Sequence, residues 1–153
     1  MKRKIHAVAA SLALLFLIAF WASTVIAELF LSATAVTQVK QGIAYALLGF
    51  IPVMIVTGAS GFAMGGKSAH PLVVAKRRRM PFIGGIGLLI LAPAAIFLSV
   101  RAQTGLFDSV FYGVQALELV AGALNVALIS LNFRDGLRLR YRKSASRVDG
   151  SVL

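Results

Sequence analysis

The chain has 153 residues, 59% hydrophobic and 14% charged, against about 45–50% apolar and about 25% charged in an ordinary soluble domain. This composition belongs to a membrane protein; the formal charge of +11 does not point to nucleic acid, because the basic residues fall in three short clusters between apolar runs. The absence of cysteine excludes disulfides, thiol redox chemistry and thiolate metal sites.

A helix needs roughly 20 apolar residues to cross about 30 Å of hydrocarbon, and four stretches qualify, at about 5–31, 43–64, 82–100 and 109–133. The expected fold is therefore all-α, a single integral membrane bundle of four transmembrane helices. The first stretch opens with Lys2-Arg3-Lys4 and reaches Val25-Ile26-Ala27, imitating the charged start and small-residue site of a secretory signal. Its apolar run continues through Leu29, Phe30 and Leu31, which favours a retained first helix. Helix two ends with Gly58, Gly61 and Gly65, and helix three begins with Gly84, Gly85 and Gly87. Close contact at small residues drives packing in lipid, so these glycines are expected to bring helices two and three together, with bends at Pro52 and Pro93. Helix one offers Ala19, Ser23 and Ala27 as a second small face. In the fourth stretch Asp108 or Ser109 is placed to cap the start, while Asn132, Arg134 and Gly136 are placed to close the end. Beyond it the tail, 134–153, is basic with interleaved apolar residues and suits the headgroup layer; from about residue 144 it reads as frayed.

Lysine and arginine set the expected orientation. The amino terminus carries three, a loop at 66–81 carries five and the tail carries six, leaving only Lys40 and Arg101 for the other two loops, near 32–42 and 101–108. The positive-inside rule then places both termini and the basic loop in the cytoplasm of a bacterial-type inner membrane.

Chemistry is sparse. Gln115, Glu118, Gly122, Asn125 and Asn132 step by three, four, three and seven residues, which keeps them on one side of the fourth helix. Glu118 lies about nine residues inside that helix, close to the bilayer midplane at about 1.5 Å per residue. An unpaired charge at that depth costs at least about 2.5–3.5 kcal/mol, so Glu118 is expected to face protein or water and to stay protonated at rest. Two readings follow: a proton or cation site with Gln115 and Asn125 as neighbours, or polar glue to another helix or protein. Glu28, near the outer end of helix one, reads as structural or solvated.

Lys67, Lys76, Arg77, Arg78 and Arg79 in the loop, with Arg138, Arg140, Arg142 and Lys143 in the tail, are expected to contact anionic headgroups or an acidic protein partner. The run from Gly61 to Gly66-Lys67-Ser68 fits the phosphate-loop expression, yet its glycines end a membrane helix and no Asp or Glu occurs between Glu28 and Asp108 to hold magnesium. His6 and His70 are the only histidines, both near the cytoplasmic interface; on different segments they offer a pair of axial haem ligands, but His6 reads first as an extension of the basic amino terminus and His70 as a loop residue before a proline. No other cofactor, no metal site and no catalytic set emerges. Four short helices with an acidic residue in the first resemble small multidrug transporters, but Glu28 is too near its helix end and the basic loop and tail do not fit.

The sequence thus reads as a non-enzymatic accessory or assembly subunit that packs with another membrane protein, or with itself as a homo-oligomer, through the polar side of helix four. The alternative is a small proton- or cation-coupled transporter or channel using Glu118, and a third is a membrane haem or quinone redox protein.

Overall fold

The computed structural model describes residues 2–65 and 69–149, with side chains placed for 4–64 and 69–138. The described residues are helical throughout apart from short turns: α1 (Lys2–Phe30), α2 (Ala33–Gly65), α3 (Pro71–Gly85), a π-helical segment (Ile86–Leu91), α4 (Ala92–Gln103) and α5 (Ser109–Asp149). Four helical runs are long and apolar enough to cross a membrane, Lys4–Phe30, Ala33–Met64, Pro71–Gln103 and Ser109–Arg138. Many large apolar side chains, among them Leu29, Leu48, Leu89 and Val120, point outward, as expected where the surrounding solvent is lipid.

Several elements extend beyond what apolarity marks. The connection from α1 to α2 is two residues long, with the Ser32 hydroxyl accepting from the Ala35 N–H, so the expected outer loop at 32–42 is instead the first turns of α2. Polar residues Thr37, Lys40 and Gln41 are tolerated there because Thr37 donates to the Ala102 carbonyl of α4 and Lys40 turns inward. The third span starts at Pro71, where His70 caps the helix by accepting from the Leu72 N–H. Gly136 does not end the last helix: α5 runs on through Asp149, so residues 144–149 are helical where fraying is expected, and 150–153 lie outside the described residues.

Between α3 and α4 the backbone widens. The Ala92 N–H bonds to the Gly87 carbonyl, an i→i−5 pattern, immediately ahead of Pro93. Proline has no N–H and its ring crowds the carbonyl four residues earlier, and a π turn absorbs that defect by passing the bond one residue further back. Pro52, by contrast, sits inside an uninterrupted α2.

Packing differs from the glycine-contact expectation. An added Cβ at Gly58, Gly84 or Gly85 would meet nothing within 4 Å, so those glycines do not join α2 to α3. Gly61 instead receives His6 of α1 and Met80 of α3, while Gly87 faces Asn125 and Gly122 faces the Trp21 ring. On α1 the packed face is Ala9, Ala13, Leu17, Thr24 and Ala27, and Ala19 is exposed. Two apolar layers result. One gathers Ala13, Leu17, Ile43, Leu47, Phe50, Ile83, Ala92, Ala95 and Ile129. The other gathers Ala27, Val36, Leu98, Ala102 and Phe111 near the α1–α2 and α4–α5 turns.

Asp108 caps α5, its carboxylate accepting from the Phe111 N–H at 3.0 Å and from Arg101. The Phe111 bond, and after it the Arg101 guanidinium, hold this carboxyl below its ordinary value of 3.8. A depressed folded-state pKa means stabilisation that is complete above the ordinary value and is lost as pH falls below it. Amide exchange at residues 109–112 should therefore accelerate as pH drops below 3.8 in the wild type after correction for intrinsic rates, whereas Asp108→Asn, which keeps the cap without titrating, should lack that acid-dependent step.

Glycines in α5 offer a second check on the packing. A Cβ at Gly122 would stand 3.0 Å from Trp21 Cδ1, while one at Gly113 meets nothing within 4 Å. Gly122→Ala should lower the stability by about 1 kcal/mol through overpacking, whereas Gly113→Ala should be neutral or raise it by a few tenths, read from melting in detergent.

Candidate functional site

Between the two apolar layers lies a polar one. Lys40 on α2 falls between Val36 of one layer and Ile43 of the other; Thr24 on α1 and Glu118 on α5 occupy the corresponding interval on their own helices. The Lys40 ammonium lies 2.5 Å from Glu118 Oε2, with the lysine side chain 1% exposed and the glutamate 12%. Lys40 also reaches the Thr24 hydroxyl at 3.5 Å, and the Gln115 amide donates to the same Glu118 oxygen at 3.2 Å. The backbones of α2 and α5 make no extensive contact. The long lysine stem spans the gap, so the pair joins two helices that otherwise meet little.

This changes the expected state of Glu118. A lone carboxyl at that depth must be protonated to stay neutral, but a Lys–Glu pair has no net charge whether it is ammonium with carboxylate or amine with acid. Periodicity could not reveal the partner, because Lys40 stands beside a polar segment that reads as loop. One signal was present: only two basic residues fall outside the three clusters, and Lys40 is one of them.

The layer is not fully satisfied. Oε1 of Glu28 and Oε1 of Gln115 are buried without a protein partner. Trp21 closes the other flank, its indole packed on Gly122 and its N–H donating to the Leu119 carbonyl at 3.0 Å. A cavity of about 40 Å³ lies here, lined by Glu118, Thr24, Trp21, Gly122, Gly87 and apolar side chains.

The five-residue side of α5 does face one way, and that way is inward. Gln115, Asn125 and Asn132 are all buried within the chain, so this side presents no outward polar surface. Only Gln115 meets Glu118 directly. Asn125 lies two turns further on, fully buried, with neither amide atom paired in the protein. Asn132 belongs to a second cluster, where Arg79 of α3 donates to Asp135 Oδ2 at 2.7 Å and to Asn132 Oδ1 at 3.3 Å. Arg134 adds a longer contact to Asp135 at 3.6 Å, and the Lys76 ammonium approaches Gly136.

Arg79 therefore turns inward as the clasp between α3 and α5, in place of the lipid or partner contact expected from the sequence. Its carboxylate partner, Asp135, is 3% exposed and was hidden in a tail that reads as wholly basic. Arg77, Arg78 and Arg138 remain on the surface. Lys67 and the side chains of Arg140, Arg142 and Lys143 lie outside the described residues, as do Gly66 and Ser68 of the phosphate-loop match, whose first five residues belong to α2. The His6 ring nitrogen Nδ1 is engaged by the Thr57 carbonyl and the Ser60 hydroxyl, and His70 Nδ1 by the Leu72 N–H. Among the described residues no three His, Cys, Asp or Glu groups converge on a metal position.

No protein-family model matches the chain, and no curated protein or solved structure matches it at a significant level. The polar layer therefore has to be read from its own chemistry.

Removing one member of a buried pair strands the other charge, a loss of about 3–5 kcal/mol. Lys40→Met should accordingly destabilise the folded chain by about 3 kcal/mol, while the double variant Lys40→Met/Glu118→Leu should recover most of that loss. A double-mutant cycle on unfolding in mixed micelles measures the coupling directly.

Proposed function

We propose that this chain is a small multi-pass protein of a bacterial-type inner membrane, with both termini in the cytoplasm, that couples to the movement of a proton or cation through the Lys40–Glu118 pair. The orientation rests on 14 of 16 basic residues lying at the termini and in the segment 66–81, which joins the second and third spans and includes the first turns of α3. The function rests on one observation: an ion pair sits between two apolar layers with unpaired buried oxygens of Glu28 and Gln115 around it and a cavity at its side. Ionisable groups inside a membrane are costly and recur along ion and proton pathways. A pair that served only to tie α2 to α5 would be favoured by saturating its neighbours' hydrogen bonds, since each buried unpaired acceptor costs about 1–3 kcal/mol.

The chemistry needs no further group. A proton arriving at Glu118 breaks the ionic contact and leaves the Lys40 ammonium as an uncompensated charge, which the Thr24 hydroxyl alone still contacts. Loss of the proton restores the pair. Charges that face the layer come from α1 (Glu28), α2 (Lys40) and α5 (Glu118), so occupancy of the site alters how three helices are held together.

An accessory or assembly subunit is the second reading. What favours it is α5 itself, which continues past its apolar span to Asp149 as a helix whose sequence carries Arg138, Arg140, Arg142 and Lys143, a basic extension suited to anionic headgroups or to an acidic partner. The inward polar side of α5 would play no part in that contact.

Purified protein in liposomes separates the two. With an imposed pH or cation gradient, wild-type vesicles should show selective flux and Glu118→Gln vesicles should fall to the rate of empty vesicles. No wild-type flux, together with a protein that co-purifies stably in mild detergent, replaces the transport reading with the subunit reading.

A further inference from the structure

We infer that the cavity beside Glu118 and the buried amide of Asn125 form one wet site, occupied by a short file of water molecules, and that the ion exchanged at the Lys40–Glu118 pair is a proton carried along it. This rests on the transport reading above and narrows it from cations in general to the proton.

Three observations converge. First, Asn125 is fully buried and neither Nδ2 nor Oδ1 has a partner in the protein. An amide offers two donors and an acceptor, and in native interiors such groups are satisfied by protein or by ordered water. Second, Gly87 is a common neighbour of the cavity and of Asn125. Gly87, in the π-helical segment, lines the cavity that Glu118 also lines, and the position a Gly87 Cβ would take is 3.5 Å from Asn125 Nδ2. Only the side-chain-free Gly87 stands between the amide and the cavity at this point. Third, the size fits a few water molecules. At about 10–15 Å³ of such volume for each water, a cavity of about 40 Å³ takes about three or four molecules.

The site also discriminates against a metal or organic cation. Glu118 Oε2 already receives the Lys40 ammonium and the Gln115 amide N–H, both donors, where a bound cation requires acceptors. A proton needs no such shell and travels along hydrogen-bonded water. The unpaired Oε1 of Gln115, whose amide donates to Glu118, gives that water a further acceptor at the pair. One turn past Asn125 the file stops, because Ile129 and Ile83 are buried in the apolar layer that separates Asn125 from the Arg79–Asp135 clasp. The path therefore ends at an apolar plug on the side of the Arg79–Asp135 clasp.

The test uses the full chain with two readouts. Uniformly 15N-labelled protein in micelles should show magnetisation transfer from water to the Asn125 side-chain amide, assigned by its disappearance in Asn125→Leu; absence of that transfer in the wild type overturns the wet site. In proteoliposomes Asn125→Leu should reduce proton flux by about tenfold, the loss of roughly one hydrogen-bonded step, while circular dichroism and the emission of Trp21, the single tryptophan of the chain, remain those of folded protein. Gly87→Ala, whose Cβ would make only ordinary contact with the amide, should reduce flux in the same direction, and keeps the question answerable if Asn125→Leu does not fold. Flux unchanged in both variants overturns the proposed path while leaving transport standing. If wild-type vesicles carry other cations but no protons, the proton assignment fails and the broader reading survives; if they carry no ion, both fail.

Discussion

The structure depends on the Lys40–Glu118 contact. In lipid, helices gain little by burying apolar surface against one another, because the surrounding chains are equally apolar. What fixes the arrangement is then small-residue fit and polar contact, and the one strong polar contact across the middle of this bundle joins α2 to α5. Those helices share little backbone contact, so the ion pair stands in for packing. Its strength is also its sensitivity, since both members are needed to keep charge out of the hydrocarbon. A proton added to or taken from the pair changes the force between helices, which links the polar layer to the shape of the whole.

The Arg79–Asp135–Asn132 cluster does the same work between α3 and α5 at the other end of the bundle. The two clusters lie on the same side of α5, separated by the buried Ile129 and Ile83. α5 is thus gripped at two heights by opposite charges from two different helices. Between the grips stand the features that leave room for movement: the π-helical turn ahead of Pro93, the side-chain-free Gly87, and an Asn125 without protein partners. π turns recur at functional positions because their spare backbone length can be redistributed. Here that spare length lies directly opposite the least satisfied residue of the core.

Much of the architecture was legible in the amino-acid order. Four apolar runs of spanning length dictated four helices, and the three-and-four spacing from Gln115 to Asn125 placed one side of α5 correctly as a unit. The Asp108 cap was also visible. Glycine contacts were less legible. Gly58, Gly84 and Gly85 sit at matching depths, yet depth along a helix says nothing about rotation around it, and the rotations adopted turn them away from any neighbour. Helix limits were missed in one direction only. α2 and α5 both run on into polar sequence, because a helix needs no apolar residues once it has been started and its backbone bonds are internal.

By itself, then, the sequence determined the solvent and the periodicity: apolar length fixes how often the chain crosses a membrane, and residue spacing fixes which side chains share a helix face. Tertiary structure alone decided which charges meet. Lys40 and Glu118 are 78 residues apart, and Arg79 and Asp135 are 56 apart. Neither pairing is encoded in any local pattern, because it arises from the azimuth at which separate helices settle against one another. That azimuth is set by many weak contacts at once, so the same residues that read as an outer loop and a lone buried acid became, on folding, the single ion pair of the polar layer.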